Sequence, residues 1–395
     1  MRPSVSSYDT MLSGIKMNYN KISLHLKNPL SFWANFPENE RFFWFDYQKN
    51  QLIIGADRLK ALNKQEDNFS DYPYIFHTKS FFDKVNGELW EGFGGETLVF
   101  KHYFIMDNQG SYYLTCDNPK HISDFEIAEI NHTFFETPTN LSTWHQLFEG
   151  IQENFSQGKC QKIVASRQLE FTSPETFNID SILQKLVSNN PDCFIFAYQK
   201  EDRTFLGASP EILVQKSGPD ILSYALAGTI PKNLKNAKQL LLNDSKNLKE
   251  HDIVVQKIRQ SLLKKAHNLN IGQLELMSLK NVYHLRTILR AHSPNTSLID
   301  WAQHLHPTPA LGGVPRQEAL SFLRQKERHE RGLYAAPLGI IDNQGNGTMI
   351  VGIRSALIQG KNLYAYAGCG ILPSSNELDE LRETEIKMRT ILEAL

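Results

Sequence analysis

Bulky apolar residues alternate or cluster in short runs over the first part of the chain. Phe42-Phe43-Trp44-Phe45, Tyr103-Phe104-Ile105-Met106 and Tyr112-Tyr113-Leu114-Thr115 predict strands. Asp107-Asn108-Gln109-Gly110 supplies turn chemistry between the last two, which predicts a hairpin. Gly92-Phe93-Gly94-Gly95 lacks the Lys-Ser/Thr that completes a phosphate loop and reads as a bend. From about residue 140 the pattern alternates. A helix from about Ser142 stops near Gly158, Lys162–Arg167 reads as a strand, and a helix surrounds Ile182–Leu186. Strands follow at Cys193–Tyr198, Thr204–Leu206, Ile212–Gln215 and Ile221–Leu226. A long helix spans roughly Ser245–Ala266 and another follows Pro315. Met349–Ile358 and Asn362–Ala367 predict a hairpin across Gln359-Gly360, and the chain ends in a helix of about 17 residues. Interspersed strands and helices favour an α+β body with sheets inside and helices outside.

At 395 residues the chain suits one large or two medium units. The pattern divides it into a strand-rich region 1–140 and a region 141–395 that holds all the candidate chemistry. The 42 Lys and Arg nearly cancel the 43 Asp and Glu, so the charge balance gives no reason to expect nucleic acid or an anionic membrane. The densest basic stretch, Arg324 to Arg331, is interrupted by glutamates and reads as a solvated helix face. Cys116, Cys160, Cys193 and Cys369 show no C-x-x-C pair and no zinc-ligand spacing, which suits reduced thiols in the cytoplasm. The N-terminus lacks the apolar core of a signal peptide, and no run approaches the ~20 apolar residues that span a bilayer.

Three segments place carboxylates beside apolar or glycine-rich sequence: Ser209-Pro210-Glu211, Asn247-Leu248-Lys249-Glu250-His251, and the last helix with Glu380 and Glu383. At about 100° per residue, Glu250 lies at the edge of the Ile253, Val254 and Ile258 stripe, either at a rim or aimed at a site. Glu380, Glu383 and Lys387 share one face of the last helix, where a surface Glu383–Lys387 pair is the plain alternative. Gly368-Cys369-Gly370 and Ala227-Gly228-Thr229 follow strands, so backbone N–H groups there can approach an anion unobstructed. Two such turns and a carboxylate pair suit a small dicarboxylic substrate with Mg²⁺, since the donors are oxygens. Lys162, among Ile, Val and Ala, is either a strand-edge lysine or a desolvated amine able to act as a base. Glu211, before Ile212-Leu213, is the mirror case, a carboxyl that burial keeps protonated as an acid. Arg354 interrupts an apolar strand and needs an anion, whether a structural partner or a substrate carboxylate.

In this order the segments resemble the chorismate-utilising enzymes, the family of isochorismate, salicylate, anthranilate and aminodeoxychorismate synthases. The matching pieces are Lys162-Ile-Val-Ala-Ser-Arg167, Phe205-Leu-Gly-Ala-Ser-Pro-Glu211, Leu226-Ala-Gly-Thr229 and Lys246-Asn-Leu-Lys-Glu-His251. Val282-Tyr-His-Leu285, Leu305-His-Pro-Thr-Pro-Ala-Leu-Gly-Gly313, Gly352-Ile-Arg354, Gly368-Cys-Gly-Ile371 and Glu380-Leu-Arg-Glu-Thr384 with Lys387 complete the set. Each piece is weak alone; nine in order over residues 140–395 are specific. The resemblance implies two face-packed antiparallel sheets flanked by outer helices, with a site in a cleft near the sheets. It implies Glu250 and Glu380 as direct or water-mediated Mg²⁺ ligands with Glu383 behind them. The ion would hold the ring carboxylate of chorismate. Arg354, Tyr334 and the Gly368 and Gly370 amides would hold the enolpyruvyl carboxylate. Gly228, Thr229, His284 and Lys387 would line the site.

Family members differ in the nucleophile they add at ring carbon 2. The water users have lysine where this chain has Lys162, and Glu211 would protonate the departing 4-hydroxyl. Salicylate synthases tend to have threonine at the place of Ala310 and an acid at the place of Asn247, so this chain resembles isochorismate synthases. The departures, Ala165 for leucine and Gly312 for serine, bear on packing. The resemblance therefore implies a monomeric, cytoplasmic, Mg²⁺-dependent isochorismate synthase without a glutaminase subunit. A salicylate synthase, an ammonia-dependent synthase and a non-catalytic chorismate-binding protein are the rivals.

Overall fold

The computed structural model describes residues 18–63, 67–85 and 87–395. The extreme N-terminus, where the sequence shows no signal-peptide core, lies outside the described residues. One ladder of strands runs, in spatial order, Lys162–Thr172, Asn362–Ile371, Ser355–Gln359, Arg203–Ser209, Phe194–Lys200, Arg41–Asp46, Gln51–Ala61 and Thr97–Asp107. A second runs Tyr74–Thr78, Pro337–Asp342, Gly347–Val351, Ile212–Ser217, Asp220–Pro231 and Val282–His292. Tyr74–Thr78 also pairs with Thr97–Asp107, so the two ladders are one continuous antiparallel ribbon folded back on itself.

Side-chain alternation explains the layering. Phe42, Trp44, Phe194, Phe196 and Tyr198 point between the layers, where they join Ile212, Val214, Met349 and Ile350 in one core. Phe43, Ile195 and Ala197 point the other way. They pack with Leu183 and Leu186 of helix Ile179–Asn189 and with Met388 and Ile391 of helix Glu377–Leu392. Burial on both faces is why Phe42–Phe45 is apolar throughout rather than alternating. A third cluster seats helices Leu141–Ser156 and Arg316–Lys326 on Ile163, Ala165, Cys369 and Ile371. The chain is thus α+β, with two antiparallel layers inside and helices outside. No helix among the described residues is long and apolar enough to cross a membrane.

The Asp107–Gly110 hairpin forms as its turn residues predict. The helix from Leu141 ends at Ser156, with Gly158 in the left-handed region at φ +67°. Two expectations need correction. Met349–Ile358 is not one strand: Gly347–Val351 belongs to the second ladder and Ser355–Gln359 to the first. The chain crosses between layers through Gly352-Ile353-Arg354, with Arg354 at φ +52°. Only Ser355–Gln359 makes the hairpin with Asn362–Ile371. Nor is Arg324–Arg331 a solvated helix face throughout. The helix ends at Lys326, and Glu327 and Arg331 turn inward to a buried ion pair of 2.6 Å.

Candidate active site

Two crossovers between the layers run side by side. The first, Ser209-Pro210-Glu211-Ile212, links Arg203–Ser209 to Ile212–Ser217. The second is the Gly352–Arg354 segment. They are stitched together by Val351 N–H to the Glu211 carbonyl (3.1 Å), Ala208 N–H to the Arg354 carbonyl (3.1 Å), and the Ser209 hydroxyl to the Val351 carbonyl (2.6 Å). Glu211 and Arg354 therefore meet where both layers contribute backbone, at one cavity. Its walls include Glu211, Gly228, Thr229, Glu250, His284 and Ala310, and also Tyr334, Arg354, Gly368, Gly370, Glu383 and Lys387. Of the catalytic, substrate-binding and metal candidates picked out from the sequence, Lys162 and Glu380 are not in that wall. Both sit directly behind it against Glu250 and Glu383.

Burial pushes the Glu211 carboxyl from its usual 4.5 up to about 8, against the opposing pull of Lys387, Lys162 and Arg354. At neutral pH it is a proton donor. Lys162 is wholly buried, with Nζ 2.9 Å from Glu250 Oε1. The contact has ion-pair distance but poor hydrogen-bond direction, which leaves Nζ without a hydrogen-bond partner among the described residues. Gly370 makes this approach possible. A Cβ there would lie 2.1 Å from Glu250 Oε1 and 2.8 Å from Lys162 Cε.

The opposite chemistry gathers around Arg354. Its guanidinium donates to His284 Nε2 at 2.6 Å, and His284 Nδ1 lies 3.0 Å from Thr229 Oγ1 and 3.3 Å from the Gly228 carbonyl. Burial first, then the Arg354 and Lys387 charges, hold His284 well below its usual range, so the ring is neutral with its proton on Nδ1. Among the described residues Arg354 has no carboxylate within ion-pair distance, although it is buried. Gly228, at φ +84° in a bulge of Asp220–Pro231, bends the strand so that Thr229 N–H reaches Asn247 Oδ1 at 3.0 Å. Val164 N–H bonds to the Gly312 carbonyl and Ser166 N–H to Glu327, not to the facing Gly370 and Gly368. The Gly368 and Gly370 N–H groups thus point to the strand's other edge, which Ser355–Gln359 covers only as far as Tyr366.

Three carboxylates meet the acidic end, each with its own lysine: Glu250 with Lys162, Glu380 with Lys246, and Glu383 with Lys387 at 2.6 Å. The surface pair considered for Glu383 and Lys387 is in fact half-buried, and Lys387 also donates to the Gly368 carbonyl at 2.8 Å. No three His, Cys, Asp or Glu side chains among the described residues form a ready metal cluster. The donors nevertheless fit Mg²⁺, which takes one or two carboxylates and fills its shell with waters and ligand oxygens. Burial and then the Glu383 charge push the Glu380 carboxyl up, a load that a cation relieves.

Sequence reasoning missed two wall residues. Arg331 bonds the Leu311 and Val164 carbonyls (2.8 and 2.7 Å) and so fixes two segments of the cavity. Tyr366 stacks on Tyr334 with ring centroids 5.3 Å apart. The Tyr364 and Tyr366 alternation was the only available signal for Tyr366; Arg331 had none, because it closes a charged run.

A family model described as chorismate binding enzyme matches residues 123–395, and the chain belongs to that family. Among its relatives, isochorismate synthase MenF of Bacillus subtilis is 37% identical over 432 aligned positions, covering 93% of this chain and 91% of that protein. The salicylate biosynthesis isochorismate synthase of Pseudomonas aeruginosa is 40% identical over 261 positions, 64% of this chain and 54% of that one. The solved structure of MenF, the menaquinone-specific isochorismate synthase from Escherichia coli, shares the fold with a TM-score of 0.82 at 23% identity. That match covers 95% of this chain and 94% of the other.

Proposed function

We propose that this chain is an isochorismate synthase that converts chorismate to isochorismate with Mg²⁺. The observation that carries the reading is the convergence of the buried Glu211 carboxyl and the buried Arg354 guanidinium on one cavity, with the buried Lys162 directly behind its Glu250 wall. The Lys162 amine accepts a proton from a water whose oxygen bonds to ring carbon 2. Both ring double bonds shift, from C1=C2 and C5=C6 to C1=C6 and C4=C5, the C4–O bond breaks, and Glu211 gives its proton to the departing hydroxyl. One water enters and one leaves. Acid and base contributions of this kind are each worth ~10²–10⁴-fold.

Arg354, Tyr334 and the outward N–H groups of Gly368 and Gly370 bind the enolpyruvyl carboxylate. Neutral His284 fixes the guanidinium without competing for the anion. Glu250 and Glu380, with Glu383 behind them, would hold Mg²⁺, which would supply charge neutralisation for the ring carboxylate. Water as nucleophile fits a chain with lysine at position 162. Asn247, spent on the Thr229 N–H, and Ala310 suit a reaction that stops at isochorismate.

The test is chorismate plus Mg²⁺ in ¹⁸O-labelled water, with products separated by chromatography. Isochorismate carrying one ¹⁸O is expected. Salicylate with pyruvate, an ammonium-dependent aminated product, or binding of chorismate without turnover would each overturn the proposal.

A further inference from the structure

The three lysines at the acidic end are not equivalent. Lys162 has no exposed surface and is wedged beside Gly370. Lys387 is tethered a second time, to the Gly368 carbonyl. The Lys246 side chain is 29% exposed, yet its partner Glu380 is only 1% exposed. Lys246 stands in the first turn of helix Ser245–Leu262, and its ammonium meets Glu380 on the separate helix Glu377–Leu392.

We infer that Lys246 is the removable counter-ion of the metal site. It neutralises Glu380 in the metal-free protein and swings into solvent when a divalent cation takes that carboxylate. The inference rests on the Mg²⁺ reading above. A buried carboxylate without a partner is strongly unfavourable, and Glu380 also feels the Glu383 charge. Some cation therefore stays on it at every stage. A half-exposed ammonium on a flexible four-carbon stem is cheap to return to water, whereas a buried one is not. Of the three lysines, Lys246 alone combines an exposed stem with a fully buried partner. Lys246 thus competes with the metal, holding its binding reversible while preventing the acids from repelling one another when the metal is gone.

The test uses the full chain, prepared in Mg²⁺ and stripped by chelation, at fixed ionic strength and pH 8. Mg²⁺ affinity is read by calorimetry and stability by thermal unfolding with and without Mg²⁺. For Lys246→Gln, Mg²⁺ affinity about tenfold tighter is expected from removing one adjacent charge. The variant also unfolds at a lower temperature without metal, and its gain in melting temperature on saturation exceeds that of the parent. Lys246→Arg keeps the ion pair and tracks the parent. Lys249→Gln, an exposed lysine of the same helix, controls for a general charge effect and leaves the affinity unchanged. In Lys246→Gln/Glu380→Gln the metal-free stability returns, since the uncompensated charge is gone. Equal or weaker Mg²⁺ binding by Lys246→Gln, or an equal shift in Lys249→Gln, overturns the counter-ion role alone. A parent protein that binds no Mg²⁺ overturns the metal reading and this inference with it.

Discussion

Glu211 at the crossover and Glu327 below the Arg331 loop are both shut away from water, and both help to build the same cavity. Burial pushes Glu211 up to about 8, because no partner lies close enough to cancel the loss of solvation. Burial would raise Glu327 as well, but Arg331 at 2.6 Å, helped by the Ser166 N–H, overcomes it and holds that carboxyl below its usual range. Equal depth therefore gives opposite proton affinity. A partnered carboxylate is scaffold, and a solitary one is an acid held ready.

The sharpest way to break this contrast is to remove the solitary acid. Glu211→Gln, and Lys162→Ala opposite it, should lose ~10²–10⁴-fold in turnover while remaining folded by circular dichroism. Near-normal kcat in either would end the acid and base assignments. Removing the partner in the other region should do the reverse. Arg331→Met leaves Glu327 buried without a cation, its remaining bonds coming from Ser166, at a cost of roughly 3–5 kcal/mol by denaturant titration. If stability hardly changes, Glu327 is not held by its partner and the contrast fails. Gly370→Ala puts a methyl where Glu250 Oε1 and Lys162 Cε now sit, costing about 1–3 kcal/mol of stability along with turnover. A fully active Gly370→Ala would show that this close approach is dispensable. Arg354→Gln should raise KM about 10–100-fold, the loss of a charged hydrogen bond to the substrate carboxylate. An unchanged KM in steady-state assays would remove Arg354 from the binding role.

A further test is the dependence on pH. If Glu211 is the proposed acid it works protonated, so kcat should fall as pH rises through about 8. Its folded-state affinity for the proton is raised, so its contribution to stability is complete below about 4.5 and is lost as pH rises toward about 8. The melting temperature of Glu211→Gln relative to the parent should accordingly climb across that window and level off above it. A flat difference between the two curves would show that Glu211 is not perturbed.

Much of this was legible in the chain because the informative residues break local rules. Glu211, Glu250 and Lys162 are charges set among apolar neighbours, and such placements are visible without a fold. Arg354 was visible as a misplaced cation but not as a crossover residue. Apolar runs flank it on both sides, and the break relies on Gly352 and a left-handed arginine rather than on a turn signature. Arg331 hid in a charged stretch whose helical half is solvated, and only the inward turn after Lys326 separates the two halves. The long helix ends at Leu262, four residues short of Ala266, because Leu263–Ala266 closes with tighter turns.

The paired crossovers have a mechanical corollary. Glu211 and Arg354 each hang from a short span strung between opposite layers, and the two spans are laced together by backbone. Any breathing that parts the layers pulls on both spans at once, so the proton donor and the anion grip travel as a unit. A substrate lodged between them would be a rivet through the sandwich, and the stiffness of the two layers would set how well two distant stretches of chain stay aligned over one small ring.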